Sequence, residues 1–206
     1  MDRISLHICS RDRFPELYGL FVSLYSQTFQ DWDLILIDES DQPILSFKPV
    51  RDILTRFRFD GHGVKIVRHE GSQRHGICRA RNAAIKADTW NDIFIRIDDD
   101  TVCDSKYLEL LVTTYRDLKN KGINVGAVGG TVPLFGDAIM QRNPEKVKPI
   151  FNKICYKNEK FEIGDDGGVT YEVNEVIPSH HLRSSFLFTR EGADAVGGYT
   201  EMLSSV

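Results

Sequence analysis

The sequence has few cysteines, no long apolar run and no excess of positive charge. Its four cysteines, Cys9, Cys78, Cys103 and Cys155, are far apart and form no C-x-x-C pair, which argues against a disulfide framework and a zinc knuckle. No apolar stretch approaches the roughly 18 residues of a membrane span, and the N-terminus has no signal-peptide core. We therefore expect a cytoplasmic protein whose cysteines are reduced.

The charge balance is slightly acidic. The chain has 26 Lys and Arg residues against 30 Asp and Glu residues, which gives a formal net charge of −4. Without a general basic field, binding to nucleic acid is disfavoured, and a small anionic ligand would need a local cluster of positive side chains. The 206 residues, of which 41% are hydrophobic, are enough for one globular domain with a substantial core.

Apolar strands alternate with amphipathic helices between residues 3 and 132. The predicted strands are ISLHIC, WDLILID, VKIVRH, DIFIRID and NVGAVGGTV, and the continuous apolar run in WDLILID predicts burial on both faces. The predicted helices are RDRFPELYGLFVSLYSQTF, PVRDILTRFRF, GICRARNAAIKAD and the segment that follows Asp104. This order predicts an α/β fold in three α/β/α layers, with a mostly parallel central sheet.

Two of the helices have predicted ends. The first has Pro15 in its first turn and one stripe of side chains at helical spacing that extends to Thr28. The fourth has an apolar stripe that starts at Tyr107, with Asp104 as its expected N-cap and Gly122 at its end.

Residues 133–180 break this rhythm, because they are rich in polar residues, Gly and Pro. We expect a long variable excursion here that covers part of a cleft. Order returns at SSFLFTREGADAVGGY, which predicts an apolar stretch, a short helix and a Gly-Gly turn.

Carboxylates follow two of the buried strands. Asp38 ends WDLILID, and Asp98, Asp99 and Asp100 end DIFIRID. Because the carboxyl ends of parallel strands lie at one edge of a sheet, where ligands collect, we expect both groups at that edge. Two carboxylates about 4 Å apart repel by roughly 4 kcal/mol at an effective dielectric of 20, so the three aspartates need a positive partner or open solvent.

The D-x-D spacing suits a divalent cation. On an extended strand, Asp98 and Asp100 point to the same side with Cα atoms about 7 Å apart, whereas Asp99 points away. Mn²⁺ and Mg²⁺ prefer oxygen ligands and keep positions open for water or phosphate oxygens. The alternative is a hydrophilic turn in which Asp100 caps a helix, and the spacing alone does not decide between them.

Five segments occur in an order and spacing that resemble family 2 glycosyltransferases of the GT-A fold. They are ISLHICSRDR, LILIDESD, GICRARNAAIKAD, IRIDDDTVCDSKYLELL and FLFTREGADAVGGYTE, and they cover nearly the whole chain. The resemblance implies a single Rossmann-like GT-A domain over residues 1–206. Residues 1–132 would bind the nucleotide sugar, and residues 133–206 would form an acceptor-side half that is incomplete at its C-terminus.

The resemblance also implies a reaction. A sugar would pass from a UDP-, GDP- or dTDP-linked donor to a hydroxyl of a glycan, lipid or small-molecule acceptor, with inversion and with Mn²⁺ or Mg²⁺ as cofactor. Asp38 would contact the nucleotide base. Asp100 would bind the metal, Asp98 would bind the metal or reach the ribose, and Asp99 is grouped with the substrate-binding residues.

Positive side chains around the third helix are the expected partners of the diphosphate. Arg74, His75, Arg79 and Arg81 give a local cationic patch near a predicted helix N-terminus, and a guanidinium beside a metal would neutralise the leaving diphosphate. Arg81 and Asn82 belong to the family's ARN segment. For Arg81, a phosphate contact and a structural salt bridge to the acidic strand ends are both open, whereas Arg79 is expected on the solvated face.

Four further side chains are candidates for ligand contacts. His180 and His181 precede the last apolar stretch, where acceptor-side residues of the family gather, and at most one is expected to contact a sugar or metal; a plain loop pair is the alternative. Trp32 is predicted as a core residue rather than a sugar-stacking platform, and Trp90 is left open between the two.

The sequence departs from the family pattern in two segments. IDESDQ has a glutamate and lacks the usual glycine, and GGYTE has Thr200 where an acid is common, so detailed contacts from these segments are not carried over. Two alternatives to a transferase remain. One is a non-catalytic GT-A module that binds a nucleotide or glycan, and the other is a sugar-nucleotide pyrophosphorylase, against which the glycine-free CSRDRFPE loop argues.

The family's general base is usually an acid a short way beyond the Gly-Gly turn, and an inverting displacement needs such a base for the acceptor proton. Because the sequence stops at Val206, we expect a fragment of a longer polypeptide or a base supplied from elsewhere. The 206-residue chain is predicted to bind donor and metal but to transfer sugar slowly. Equal turnover by this chain and by a longer parent in a sugar-transfer assay would contradict this expectation.

Overall fold

The computed structural model describes residues 3–71, 76–130 and 185–201, together with the backbone of four short strands between residues 146 and 172. The chain divides into two compact units. The larger consists of Met1–Val128 and Ser184–Val206, and the smaller is Gly129–Arg183. The last strand and helix belong to the larger unit, and the division into a donor-binding half and an acceptor-side half stays a prediction.

Strands and helices alternate in the larger unit, as the sequence predicts. The strands of the chain are β1 (Ile4–Ser10), β2 (Trp32–Asp38), β3 (Val64–Arg68), β4 (Ile93–Asp98), β5 (Ala127–Gly129), β6 (Lys146–Val147), β7 (Asn152–Lys157), β8 (Lys160–Asp165), β9 (Tyr171–Glu172) and β10 (Phe186–Thr189). The helices are α1 (Phe14–Tyr25), α2 (Lys48–Phe59), α3 (Ile77–Ala87), α4 (Tyr107–Asn120) and α5 (Arg190–Val196).

The central sheet of the larger unit has six strands in the order β3-β2-β1-β4-β10-β5. The pairs β1–β2, β2–β3 and β1–β4 are parallel, whereas β10 runs antiparallel to β4. This confirms the predicted α/β class with a mostly parallel sheet. In the smaller unit, β6 pairs with β9 and β7 pairs with β8, both antiparallel.

Helix α1 forms where its sequence predicts but is shorter than expected. Pro15 lies in its first turn, and one face of the helix is buried. The predicted stripe as far as Thr28 is wrong, because the helix ends at Tyr25. The Thr28 hydroxyl instead donates to Glu109 Oε2 at 2.7 Å, and its backbone N–H donates to the carbonyl of Ser105. A tertiary contact with α4 therefore determines the conformation at Thr28.

The start of α4 also differs from the prediction. Asp104 is not the N-cap, because the helix begins at Tyr107 and Lys106 occupies the cap position. The Asp104 carboxylate accepts a hydrogen bond from the Lys106 N–H at 2.9 Å and closes the turn just before the helix. The predicted end is confirmed, since Gly122 follows the helix with a φ of 73° that favours glycine.

The hydrophobic core lies between the sheet and helices α1, α2 and α4. All seven residues of β2 are buried, which confirms a strand covered on both faces. Trp32 is fully buried and packs edge-to-face on Phe57, so its prediction as a core residue is also confirmed. Trp90 is 46% exposed.

Two findings concern the described part of the chain only. None of its helices combines the length and apolar character needed to cross a membrane. Cys9, Cys78 and Cys103 are free thiols.

His62 gives the fold a dependence on pH. Its ring stacks on Trp32 with centroids 3.6 Å apart, and its Nδ1 lies 2.7 Å from the Trp32 carbonyl oxygen. Burial lowers the pKa of His62, and the hydrogen bond to Trp32 opposes this only in part. Because the folded pKa lies below the unfolded value of 6.5, the unfolded state takes up the proton first, and stability falls as the pH drops below that value.

We expect His62→Asn to weaken this dependence, because Asn keeps a donor near the Nδ1 position and does not titrate. The measurement is the melting temperature between about pH 7.5 and 5.5. Burial also lowers the pKa of His7, so the slope is expected to decrease but not to vanish. An unchanged slope in the variant would contradict the role of His62.

Candidate active site

The acidic ends of two strands lie at one edge of the sheet, on either side of β1. The register pairs Ser10 of β1 with Asp38 of β2, and Cys9 of β1 with Asp98 of β4. The carboxyl ends of three neighbouring parallel strands therefore meet, which is where ligands bind in open α/β sheets.

The chain turns immediately after β4. The Thr101 N–H donates to the Asp98 carbonyl at 3.2 Å, and Asp99 and Asp100 form the turn between them. The alternative in which Asp100 caps a helix does not hold, since the next helix begins at Tyr107. The three carboxylates differ in exposure: the side chains are 30% exposed at Asp98, 10% at Asp99 and 56% at Asp100.

Arginines supply the positive charge that three adjacent carboxylates require. Arg13 Nη1 lies 3.3 Å from Asp99 Oδ1 and 2.9 Å from Asp100 Oδ2. Arg81 Nη2 and Arg96 Nη2 both contact Asp98 Oδ1, at 3.4 and 3.2 Å. Burial raises the pKa of Asp99, and the nearby charge of Arg13 opposes that effect.

Arg81 realises one of its two predicted roles. Its salt bridge ties helix α3 to the acidic end of β4, and its guanidinium lies 5.6 Å from the centre of the Tyr199 ring. A phosphate contact remains a prediction that is compatible with this position. Arg79 is 45% exposed and pairs with Glu201 at 3.2 Å, as expected for a side chain on the solvated face.

Arg96 was not identified from the sequence. It lies on β4, only 13% exposed, with its guanidinium 5.2 Å from the centre of the Phe186 ring. Its Nε is buried, and no hydrogen-bond partner for it is found in the described ranges. A charged residue inside the apolar segment DIFIRID was the available signal, because arginine is rarely buried unless it is paired.

A cavity of about 10 Å³ lies beneath Asp98, with room for one water molecule. Its walls include Cys9, Arg81, Arg96 and Tyr199. Burial raises the pKa of the Cys9 thiol to about 12, so this sulfur stays protonated and is a poor nucleophile. Burial also raises the pKa of Tyr199, against the positive charges of Arg96 and Arg81.

Asp38 acts on the loop that follows β2. The residue is 1% exposed, and its carboxylate accepts hydrogen bonds from the N–H groups of Ser40, at 3.0 Å, and Ile44, at 2.9 Å. Arg68 Nη1 is 2.8 Å from the same carboxylate. The contact of Asp38 with a nucleotide base stays a prediction. The observed bonds show that Asp38 fixes the shape of the 39–44 loop, so its effect on a bound base would pass through that loop.

Asn82 joins helix α3 to the Gly-Gly turn. Its Oδ1 accepts from the Tyr199 N–H at 2.8 Å, and its Nδ2 donates to the Tyr199 carbonyl at 2.9 Å and to Glu201 Oε1 at 3.0 Å. Gly198 has a φ of 77°, and a Cβ at that position would lie 2.8 Å from Asn82 Oδ1. Asn82 of the ARN segment therefore positions Tyr199, and Gly198 permits the turn to approach the Asn82 side chain closely.

Four predicted residues cannot be placed. Arg74, His75, His180 and His181 lie outside the described residues, so their proposed contacts stay predictions. Three residues that the sequence analysis missed, Arg13, Arg96 and Tyr199, all contact the candidate site.

The residues at the turn fit a hard divalent cation by their chemistry. Within the described ranges, no group of three or more His, Cys, Asp or Glu side chains could hold a metal ion. Mg²⁺ is commonly bound through only one or two carboxylates together with substrate phosphates, so such a cage is not required. Both arginine contacts of Asp98 fall on Oδ1 and that of Asp100 falls on Oδ2, which leaves each carboxylate a second oxygen for another ligand.

The sequence family is decided by a direct match. The family model described as glycosyl transferase family 2 matches residues 5–177, which is most of the 206-residue chain. The chain belongs to this family. A comparison of the family 2 chain with curated proteins found no match.

Solved structures share the fold of this family 2 chain at low identity. S. aureus TarS has a TM-score of 0.61 at 14% identity, over 99% of this chain and 31% of TarS. The mannosyltransferase PcManGT from Pyrobaculum calidifontis, in complex with GDP-Man and Mn²⁺, has a TM-score of 0.57 at 16% identity, over 97% and 48%. GalNAc-T7 with UDP, GalNAc and Mn²⁺ has a TM-score of 0.56 at 15% identity, over 99% and 38%.

These likenesses confirm the predicted GT-A fold. Because the identities are 16% or lower, they show the fold alone. The family 2 chain spans less than half the length of each of these three proteins.

We expect Asn82→Ala to lower the free energy of unfolding by about 1–3 kcal/mol, because two half-buried hydrogen bonds to Tyr199, each worth about 0.5–1.5 kcal/mol, would be lost. Urea denaturation measures the change. Asn120→Ala, at the exposed end of α4, is the matched control and is expected to change stability by less than about 0.5 kcal/mol. Equal effects of the two substitutions would contradict the role of Asn82 in holding the Gly-Gly turn.

Proposed function

We propose that the chain is the donor-binding part of a metal-dependent, inverting glycosyltransferase of the hexosyltransferase type. It would transfer a sugar from a nucleotide-diphosphate donor to a hydroxyl of a glycan, lipid or small-molecule acceptor. The observation that carries the proposal is the turn of three aspartates at the edge of a GT-A sheet, beside a cluster of arginines and next to the loop fixed by Asp38. Membership of family 2 supports the same reaction class.

The charge distribution supports a diphosphate ligand. Two guanidinium groups, those of Arg81 and Arg96, share the single carboxylate of Asp98, which leaves a net positive charge beneath the turn. The buried Nε of Arg96 has no partner in the described part of the chain, so it is a donor that an anion or a bridging water would satisfy. These side chains would hold the negative charge that develops on the leaving diphosphate.

Asp100 and Asp98 would hold the divalent cation. When bound, Mn²⁺ or Mg²⁺ would stabilise the charge on the leaving phosphate oxygens as a Lewis acid. Asp99 would keep the turn in place through its contact with Arg13, since its side chain faces the protein and is only 10% exposed. Structures of PcManGT with GDP-Man and Mn²⁺ and of GalNAc-T7 with UDP, GalNAc and Mn²⁺ support this cofactor.

Inversion at the anomeric carbon corresponds to a single displacement by the acceptor hydroxyl. Cys9, the thiol in the wall of the cavity, is held protonated by a pKa of about 12, which argues against a covalent intermediate on that residue. The reaction needs a general base for the acceptor proton. We expect an acid outside the described residues to supply it.

A second candidate is a non-catalytic GT-A module that binds a nucleotide or glycan. The observation that favours it is that Asp98 and Asp100 both have arginine partners, so each carboxylate is paired without a metal. In this case nucleotide binding would not depend on a divalent cation.

Calorimetric titration with UDP, GDP and dTDP, each with and without Mn²⁺, separates the two candidates. We expect one nucleotide to bind in a Mn²⁺-dependent manner. Asp100→Asn is expected to weaken that binding by at least about tenfold, because loss of a side chain that only supports a metal ligand already costs about tenfold in metal affinity, and Asp100 would be a ligand itself. The substitution keeps the side chain's size and removes its charge.

Asp104→Asn is the matched control, because Asp104 is an exposed aspartate in the same connection between β4 and α4. The Asp104→Asn variant is expected to bind the nucleotide, with Mn²⁺, as tightly as the wild type does. Nucleotide binding that is indifferent to Mn²⁺ and to Asp100→Asn would contradict the transferase proposal and favour the non-catalytic module.

A further inference from the structure

Arg13 takes a position between two carboxylates that a small cation would also take. It lies in the loop between β1 and α1, at the N-cap position of α1. A single nitrogen, Nη1, is 3.3 Å from Asp99 Oδ1 and 2.9 Å from Asp100 Oδ2. The contact joins residues that are 86 and 87 positions apart in the sequence, so the fold, and not local geometry, brings the guanidinium there.

The two contacts of Arg13 differ in their access to solvent. Asp99 is sheltered, with 10% of its side chain exposed, whereas Asp100 is 56% exposed and Arg13 is 54% exposed. A pair between two exposed groups is weak and is readily exchanged for water or other ions. The Arg13–Asp100 contact is therefore the one that a dissolved cation can replace.

The loop that carries Arg13 is also bound to the loop after β2. The Asp12 N–H donates to Ser40 Oγ at 3.0 Å, and Asp12 Oδ1 accepts from the Asp41 N–H at 2.7 Å. Asp12 has a φ of 55°, a left-handed conformation that aspartate tolerates better than most residues. These bonds hold the backbone next to Arg13 in place, so exchange at Asp100 requires only a change in the arginine side chain.

A divalent cation at Asp100 and the Arg13 guanidinium would repel each other at this distance. This repulsion acts even if the cation binds the oxygen that Arg13 leaves free, because both oxygens belong to one small carboxylate. Asp98 differs in this respect, because its arginines come from α3 and β4 and approach Oδ1 from within the protein.

We propose that Arg13 is a resident counter-ion of the metal site, which holds the Asp99–Asp100 turn in the absence of a divalent cation and gives up Asp100 when the cation binds. The inference rests on the proposed metal site at Asp98 and Asp100. Arg13 is accordingly a positioning residue, and its presence lowers the affinity for the metal while it keeps the empty site ordered.

The test is the affinity of Mn²⁺ for the full chain, measured by electron paramagnetic resonance of free Mn²⁺ without nucleotide. We expect Arg13→Gln to bind Mn²⁺ about three- to fivefold more tightly than the wild type, which is the effect of removing one exposed competing ion pair. Arg13→Lys, which keeps the charge, is expected to stay within about twofold of the wild type.

Arg11→Gln is the matched control for the charge change. Arg11 lies in the same loop and is 60% exposed, and its Nε lies 3.8 Å from Asp12 Oδ2. We expect the Mn²⁺ affinity of Arg11→Gln to stay within about 1.5-fold of the wild type, since an exposed charge is largely screened by salt. A gain in Arg11→Gln equal to that in Arg13→Gln would overturn the proposal, because the effect would then reflect net charge alone.

Thermal melting adds a second readout that is independent of affinity. Without metal, Arg13→Gln is expected to melt at a lower temperature than the wild type, and Mn²⁺ is expected to raise its melting temperature by more. If Arg13 only supported the fold, its loss would leave Mn²⁺ affinity unchanged or reduced, and either result would overturn the proposal.

Asp100→Asn in the Arg13→Gln background locates the effect and is expected to abolish the gain. Mn²⁺ binding by the wild type with no gain in Arg13→Gln would overturn this inference and leave the proposed function intact. If neither protein binds Mn²⁺, with or without UDP or GDP, the proposed metal site fails as well.

Discussion

Repulsion among three adjacent carboxylates is the constraint on which the rest of the site depends. Asp98, Asp99 and Asp100 follow a buried strand and could not all ionise there without nearby positive charge or open water. In the structure, three arginines from three elements supply that charge: one from the loop before α1, one from helix α3 and one from β4 itself. The fold of the larger unit is thus linked to the electrostatics of one turn.

The arginines neutralise the three carboxylates unequally, and this leaves the two sides of the site with opposite charge. Asp98 receives two guanidinium groups, which leaves positive charge on the side of the cavity. Asp100 is mostly exposed and shares one arginine with Asp99, which leaves negative charge on the side of solvent. A ligand that combines a cation with a polyanion would match both sides at once, as a metal-bound diphosphate does.

The sequence predicted most of the fold because its signals there are local. Apolar runs and helical periodicity located β1 to β4 and α1 to α4, and the parallel strand order that they imply placed Asp38 and Asp98 at one edge of the sheet. Features that depend on distant partners were missed or left open. Thr28 and Asp104 were given helical roles because their partners on and before α4 could not be foreseen. Asn82 was recognised only as part of the ARN segment, because its partner Tyr199 lies 117 residues away.

The place of β10 in the sheet has a consequence for synthesis of the protein. β10 lies between β4 and β5, so the outer edge of β4 has no strand beside it until residues 186–189 have left the ribosome. At translation rates of about 5–20 residues per second, the nascent chain passes on the order of ten seconds in that state. An unpaired apolar strand edge is a template for association with other chains. Newly made copies therefore expose a site for association with other chains during that interval.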